Sequence, residues 1–338
     1  MAEGGYLVDV QDITKSFPIR QGLFLSRQKG SVLHAVNGVS FRLKRGESLG
    51  LAGESGCGKT TTGRILLKLC EPTGGRYFFN GKDVTHMNHG HELKEFRKQA
   101  QLVFQNPFEA LNPRFTVFRS IAEPLIIHNI GSKSERADLV KEALEMVNLK
   151  PAEAFFDKYP HQMSGGQLQR VVLARALVVK PMFIVADEPV SMLDVSIRAG
   201  VLNLMGEIAR SMRLTTVYIS HDLSLIRYLC DYTAIMYLGQ IVEIGPTEKV
   251  LCGPEHPYTQ ALISAVPSPD PDFKGGELKI TSHVPSPVDL PRGCLFQDRC
   301  PYVESVCRQV QPDLRERGAS HAVRCHMISG ATEAASTA

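Results

Sequence analysis

Gly53 to Thr60 read "GESGCGKT". The run before them, "ESLGLAG", predicts a strand that ends in a glycine turn. The run after them, "TTTGRILLKLC", predicts a helix. The pattern G-x-x-x-x-G-K-[ST] between a strand and a helix is a phosphate loop. Its glycines let the backbone curl so that N–H groups point inward around a diphosphate, and the helix N-terminus adds partial positive charge. In this reading Gly53, Ser55, Gly56, Gly58 and Thr61 belong to the cradle. Lys59 reaches the β- and γ-phosphates, and the Thr60 hydroxyl ligates Mg2+.

Outward from this loop, from Tyr6 to about Tyr258, short apolar runs alternate with longer amphipathic ones, which reads as an α/β fold. "MFIVAD" and "TTVYIS" are near-continuous apolar or β-branched runs, as in parallel strands buried on both faces. "SERADLVKEALEMVNL" puts Leu139, Ala143 and Val147 on one helical face. Asp187 and Glu188 follow the "MFIVA" run, at the carboxyl end of its strand, where the phosphate crevice of such a sheet opens. There Asp187 would hold Mg2+ and Glu188 would polarise an attacking water. Alone, the acidic pair would equally fit a helix cap or a solvated turn.

A second glycine pair lies in "HQMSGGQLQR", His161 to Arg170. Ser164 and Gln167 have capping-box spacing, and "LQRVVLARALVV" continues as a helix. Bare glycines in the first helical turn leave N–H groups free to meet an anion. A γ-phosphate held by Lys59 on one side would be clamped by this turn from the other, closed with triphosphate and open after hydrolysis.

Phosphate loop, "SGGQ", "DEP" and a later strand-end histidine together resemble the nucleotide-binding subunit of an ABC transporter, over roughly Val8 to Tyr258. The resemblance implies a RecA-like core with an antiparallel β subdomain and a helical signature subdomain at about 106–178. It also implies head-to-tail pairing, in which Ser164, Gly165, Gly166 and Gln167 of one subunit complete the ATP site of the other. Met163 stands where the family usually has Leu. Phe17 resembles the aromatic that stacks on adenine, and Gln105 the glutamine that senses Mg2+ and water and relays to the membrane subunit. Ser191 and Asp194 fall in a segment like the dimer-interface loop, with Met192 in place of the usual Ala. His221 resembles the switch histidine at the γ-phosphate. Glu188 and His221 are then the catalytic pair, and Thr60, Gln105 and Asp187 the Mg2+ ligands.

"NPFEALNPRFTV", "EPVSMLDVSIRA" and "HPYTQALISAVP" with the tail behind it are similar to segments of oligopeptide and dipeptide importer ATPases, although Phe108, Glu109 and Ala110 depart from the common pattern. Some importers of this type carry nickel or another small solute. The resemblance implies a second ATPase subunit (identical or not), two membrane permeases and a substrate-binding protein, with this chain peripheral on the cytoplasmic face of the membrane.

Beyond residue 258 the texture changes. Residues 259–292 read as a Pro-, Gly- and Ser-rich linker, 293–328 as a Cys-rich domain and 329–338 as a disordered tail. Cys294, Cys300, Cys307 and Cys325 are spaced C-x5-C-x6-C-x17-C. Four thiolates suit an iron–sulfur cluster or tetrahedral Zn2+, and free thiols are the third reading. Family members carry a four-iron four-sulfur cluster here, which the resemblance implies. His321 and His326 are alternative ligands.

Bulk properties fit. Of 338 residues 43% are hydrophobic and 22% charged, as in ordinary globular proteins. A net charge of +3 is too small to argue for a nucleic-acid or anionic-membrane partner. The N-terminus lacks the pattern of a secretory signal, and Arg175 interrupts the longest apolar run. A soluble ABC ATPase of translation or DNA would be expected to show two cassettes or a long coiled coil. A P-loop kinase or GTPase would not carry "SGGQ" and His221.

Overall fold

The structure, a computed structural model, describes residues 5–19, 32–265, 280, 285–288, 290–318 and 320–327. The expected linker falls largely outside these residues, and the expected tail wholly so.

The strands are β1 (Tyr6–Pro18), β2 (Val32–Lys44), β3 (Ser48–Ala52), β4 (Gly74–Phe79), β5 (Lys82–Asp83), β6 (Ala100–Val103), β7 (Phe183–Asp187), β8 (Thr215–Ile219), β9 (Tyr232–Tyr237), β10 (Gln240–Pro246), β11 (Arg315–Glu316) and β12 (Ala322–Val323). Two sheets result: β2-β1-β4-β5, and the eight-stranded β11-β12-β10-β9-β3-β8-β7-β6. From β9 to β6 the larger sheet is parallel.

The parallel strands are mostly apolar because both faces are covered, with polar residues such as Ser48, Thr215, Thr216 and Asp187 near their ends. Phe183, Val185, Val217, Ile219, Ala234 and Met236 pack into one core with the smaller sheet, while Ile184, Ala186, Tyr218, Ile235 and Tyr237 join the opposite core. Gly50 in β3 has a packing reason: a Cβ there would lie 2.4 Å from Ile226 Cγ2.

Helices Val117–Ile127, Lys133–Met146 and Gly165–Leu177 pack on one another as the helical subdomain. In Lys133–Met146 the buried stripe is Val140, Ala143 and Leu144, continued by Val147 just past its end; Leu139, expected on this face, is only partly buried. Ser132 caps this helix through a full capping box.

After Tyr258 the chain stays attached to the main body. Pro257–Ser264 is a helix that buries Tyr258, Thr259 and Ala261. β12 extends the main sheet, pairing Val323 with Glu243 and Ala322 with Ile244 of β10. Leu295 and Phe296 enter the same core as the helical subdomain.

Candidate active site

The phosphate loop joins β3 to the helix Lys59–Leu66. Two of its glycines are required twice over. Gly53 and Gly58 have φ of +146° and +103°, and a Cβ on either would lie 2.2 Å from a backbone oxygen, of Met236 and Ala35 respectively. Lys59 is buried, and its Nζ donates to the loop's own carbonyls, Gly53 O at 2.7 Å and Glu54 O at 2.8 Å.

A cleft of about 860 Å³ opens above the loop. It is lined by Phe17, Leu33, Ala35, Ser55, Gly56, Gly58, Lys59, Thr60, Thr61, Gln105, Asp187, Glu188, His221 and Pro287. It thus gathers residues predicted from five separate stretches of sequence. Three more, Leu33, Ala35 and Pro287, were not predicted. No motif marks them, since what they contribute is wall. Pro287 is held there by its carbonyl, which accepts from His34 N–H at 2.9 Å. The Phe17 ring is exposed at the rim, with Lys15 Nζ 4.9 Å from its centre.

At the floor, Thr60 Oγ1 lies 3.3 Å from Asp187 Oδ1. Burial pushes the Asp187 carboxyl above its ordinary range, against the hydrogen bond from Thr60. A half-buried carboxylate beside a hydroxyl, with Gln105 on the same wall, is a fitting set of oxygen ligands for Mg2+. Glu188 is the hub of the site. Gln105 Nε2 donates to its Oε2 at 2.9 Å, and His221 Nδ1 lies 2.9 Å from its Oε1. Its backbone is left-handed, with φ +45°, an uncommon conformation for a non-glycine residue that marks the sharp turn out of β7. The turn is pinned by Glu188 N–H to Ile219 O at 2.8 Å and by Ser191 Oγ to Glu188 O at 3.1 Å.

Ser164–Gln167 stand apart, absent from the lining of this cleft. Ser164 caps the helix Gly165–Leu177 in a reciprocal box, accepting from Gln167 N–H at 3.3 Å while Gln167 Oε1 accepts from Ser164 N–H at 3.2 Å. Gly166 also serves packing, since a Cβ there would meet Ile197 Cγ2 at 2.5 Å. Met163 is buried. Asp194 precedes the helix Val195–Ser211, and its carbonyl accepts from Ile197 and Arg198 N–H. Met192, between Ser191 and Asp194, is largely exposed.

The cysteine expectation gains no support from the structure. Among the described residues, no three His, Cys, Asp or Glu side chains form a group able to hold a metal ion, so neither an iron–sulfur cluster nor zinc is supported. All four cysteines share one neighbourhood, and none of them is in a disulfide. Burial pushes Cys294 up to about 11 and Cys300 upward as well, which favours the protonated form. The alternative ligands are engaged elsewhere: fully buried His321 lies with Nε2 2.8 Å from Glu243 Oε1, and His326 Nε2 lies 2.8 Å from Val310 O. Cysteine spacing put the thiols near one another, but ordinary packing and ion pairs, invisible in that spacing, hold the segment.

Residues 36–191 match the ABC transporter family, and residues 242–307 match the C-terminal region of oligopeptide/dipeptide transporters. The chain is 45% identical to the oligopeptide transport ATP-binding protein AppF of Bacillus subtilis (strain 168), over 96% of this chain and 98% of the relative. It is 42% identical to the dipeptide transport ATP-binding protein DppF of Escherichia coli (strain K12), covering 92% of each. It also resembles a dimeric post-hydrolysis structure of the ATP-binding cassette MJ0796 bound to ADP and Pi, with 29% identity, a TM-score of 0.61, and coverage of 71% of this chain and 98% of that one. A phosphate loop faced by a strand-end acidic pair, on a sheet that continues into the oligopeptide/dipeptide C-terminal region, is thus no coincidence of motifs: the chain belongs to the ABC transporter family, among the ATP-binding proteins of oligopeptide and dipeptide transport.

Proposed function

We propose that this chain hydrolyses ATP in the cleft above Gly53–Thr60 and so powers the import of dipeptides or oligopeptides through separate membrane subunits. The observation that carries the reading is the placement of Glu188: its carboxylate is held between Gln105 and His221, 2.9 Å from each, on the wall of the cleft that contains Lys59. Ring stacking on Phe17 seats the base. Lys59 leaves the loop carbonyls for the phosphates. Glu188 accepts a proton from the attacking water and is oriented by His221. Thr60, Gln105 and Asp187 would hold Mg2+, which supplies positive charge to the phosphate oxygens.

In one chain Ser164–Gln167 do not reach this cleft. They serve the ATP of a second ATPase subunit, identical or not, with Ser191 and Asp194 at the joint. The other partners are two permeases and, through them, a substrate-binding protein, with the chain on the cytoplasmic face of the membrane. Among the described residues no helix is long and apolar enough to cross a membrane.

Glu188→Gln tests the reading. ATP binding is expected to persist while hydrolysis falls by at least about 100-fold, the usual weight of a general base, with closed dimers accumulating. Hydrolysis at the wild-type rate removes Glu188 from the chemistry. The solute is tested by uptake of labelled dipeptides and oligopeptides in a strain carrying or lacking the chain. Uptake of nickel or another small solute instead would retain the importer and change its cargo.

A further inference from the structure

Glu54, the second residue of the phosphate loop, is held by all of its polar groups. Its N–H donates to Tyr258 Oη at 2.9 Å. Its carbonyl accepts from Lys59 Nζ at 2.8 Å and from Cys57 N–H at 3.3 Å. Its carboxylate takes both arms of Arg299, Nη1 at 2.7 Å and Nη2 at 2.8 Å. Arg299 is 245 residues away in sequence, on the C-terminal segment, and its side chain is only 3% exposed. It is walled by aromatic rings, with its guanidinium carbon 5.6 Å from the centre of Tyr237 and 5.9 Å from that of Phe296. Removing one partner of a bidentate pair in such a shielded place leaves the other charge uncompensated, which costs more than breaking a surface ion pair. Tyr258 belongs to the same cluster, its ring centre 4.7 Å from Tyr237 and 5.5 Å from Phe296.

The loop is therefore tied from both sides. Lys59 ties it from within, but that tie must be given up, because the same ammonium is needed by the nucleotide. We propose that Arg299, with Tyr258, is a positioning residue of the ATP site: it holds Glu54 from outside so that the loop keeps its phosphate-binding shape once Lys59 has turned to ATP. This rests on the ATPase reading above and adds that the C-terminal segment is part of what sets ATP affinity.

The test uses the full chain and trinitrophenyl-ATP, with Lys59→Ala as control. Arg299→Gln is expected to weaken nucleotide binding by roughly 10-fold, the scale of one charge-assisted contact, and to raise the ATP KM of the assembled transporter with little change in kcat. Glu54→Gln should do the same. The double variant should be no worse than either single one, since both remove one contact. Tyr258→Phe, which removes only the hydroxyl from the cluster, should weaken binding by about 3-fold and keeps the proposal testable if Arg299→Gln fails to fold. Wild-type affinity in folded Arg299→Gln or in Tyr258→Phe overturns the proposal, as does strict additivity in the double variant. If wild type itself binds no nucleotide, or binds it independently of Lys59, the ATPase reading fails instead.

Discussion

The phosphate loop and the C-terminal segment are both fixed by short polar contacts, but over very different spans of chain. Lys59 reaches carbonyls five and six residues away, whereas Arg299 reaches Glu54 across 245 residues and His321 reaches Glu243 across 78. A contact closed within one turn forms with its own element. A contact closed across the fold exists only once the sheet and both cores are in place, and it then returns stability to all of them. The C-terminal segment is thus a brace on the cassette rather than an appendage.

The largest effect should come from cutting that brace at its buried centre. Glu243 is fully buried in β10 and accepts from Glu255 N–H at 2.9 Å and His256 N–H at 3.0 Å, with His321 Nε2 at 2.8 Å. Glu243→Ala strands three polar groups, and removing one partner of a buried pair costs about 3–5 kcal/mol. Calorimetry should show one transition at lowered temperature. Two transitions, with the cassette unmoved, would restore the picture of an independent appendage.

Gly50→Ala puts the same comparison to work on the loop's side. The added Cβ, 2.4 Å from Ile226 Cγ2, overpacks β3, which leads directly into Gly53. The expected cost is about 1–3 kcal/mol. Urea denaturation should show a lowered midpoint with the slope preserved.

A third measurement uses pH. Burial lowers His256 from 6.5 to about 3, so it is neutral in the fold and its Nδ1 accepts from Tyr258 N–H at 3.0 Å. In the unfolded chain it takes up a proton below about 6.5, and the folded chain does not follow until about 3. Stability therefore falls as pH drops through that window, by at most about 1.4 kcal/mol per pH unit for this one group. His256→Asn, which keeps an acceptor for Tyr258, should flatten the slope between pH 7 and 5 relative to wild type. Identical slopes would show that His256 is solvated.

These sites also show what a sequence carries on its face. The loop glycines, Lys59 and the strand-end acidic pair were legible because backbone geometry and phosphate chemistry demand those residue types at fixed local spacing, whereas His221 came only with the family resemblance. The two-faced parallel strands were legible from near-continuous apolar runs. Arg299, Tyr258 and Pro287 were not, because an arginine, a tyrosine and a proline acquire their role only from where the fold brings them. The cysteines are the converse case. Their spacing satisfied a ligand pattern, while the forces that place the segment, Phe296 against Tyr237 at 5.2 Å and β12 beside β10, follow no spacing rule.

The smallest effect is expected at Met163, which precedes the signature serine where the family usually has leucine. Its side chain is 8% exposed and lies in the core that contains Leu168 and Val171. Leucine and methionine have similar volumes, and such swaps usually cost less than about 1.5 kcal/mol. The Ser164 cap is made by Ser164 and Gln167 alone, so the exchange leaves both of its hydrogen bonds in place. Met163→Leu should therefore leave the ATPase rate unchanged and shift the melting temperature by no more than a few degrees. A clear loss of rate without loss of stability would mean that the thioether, and not only its volume, sets the angle at which the signature turn meets the partner's nucleotide. The signature would then depend on its buried neighbour as the phosphate loop depends on Arg299.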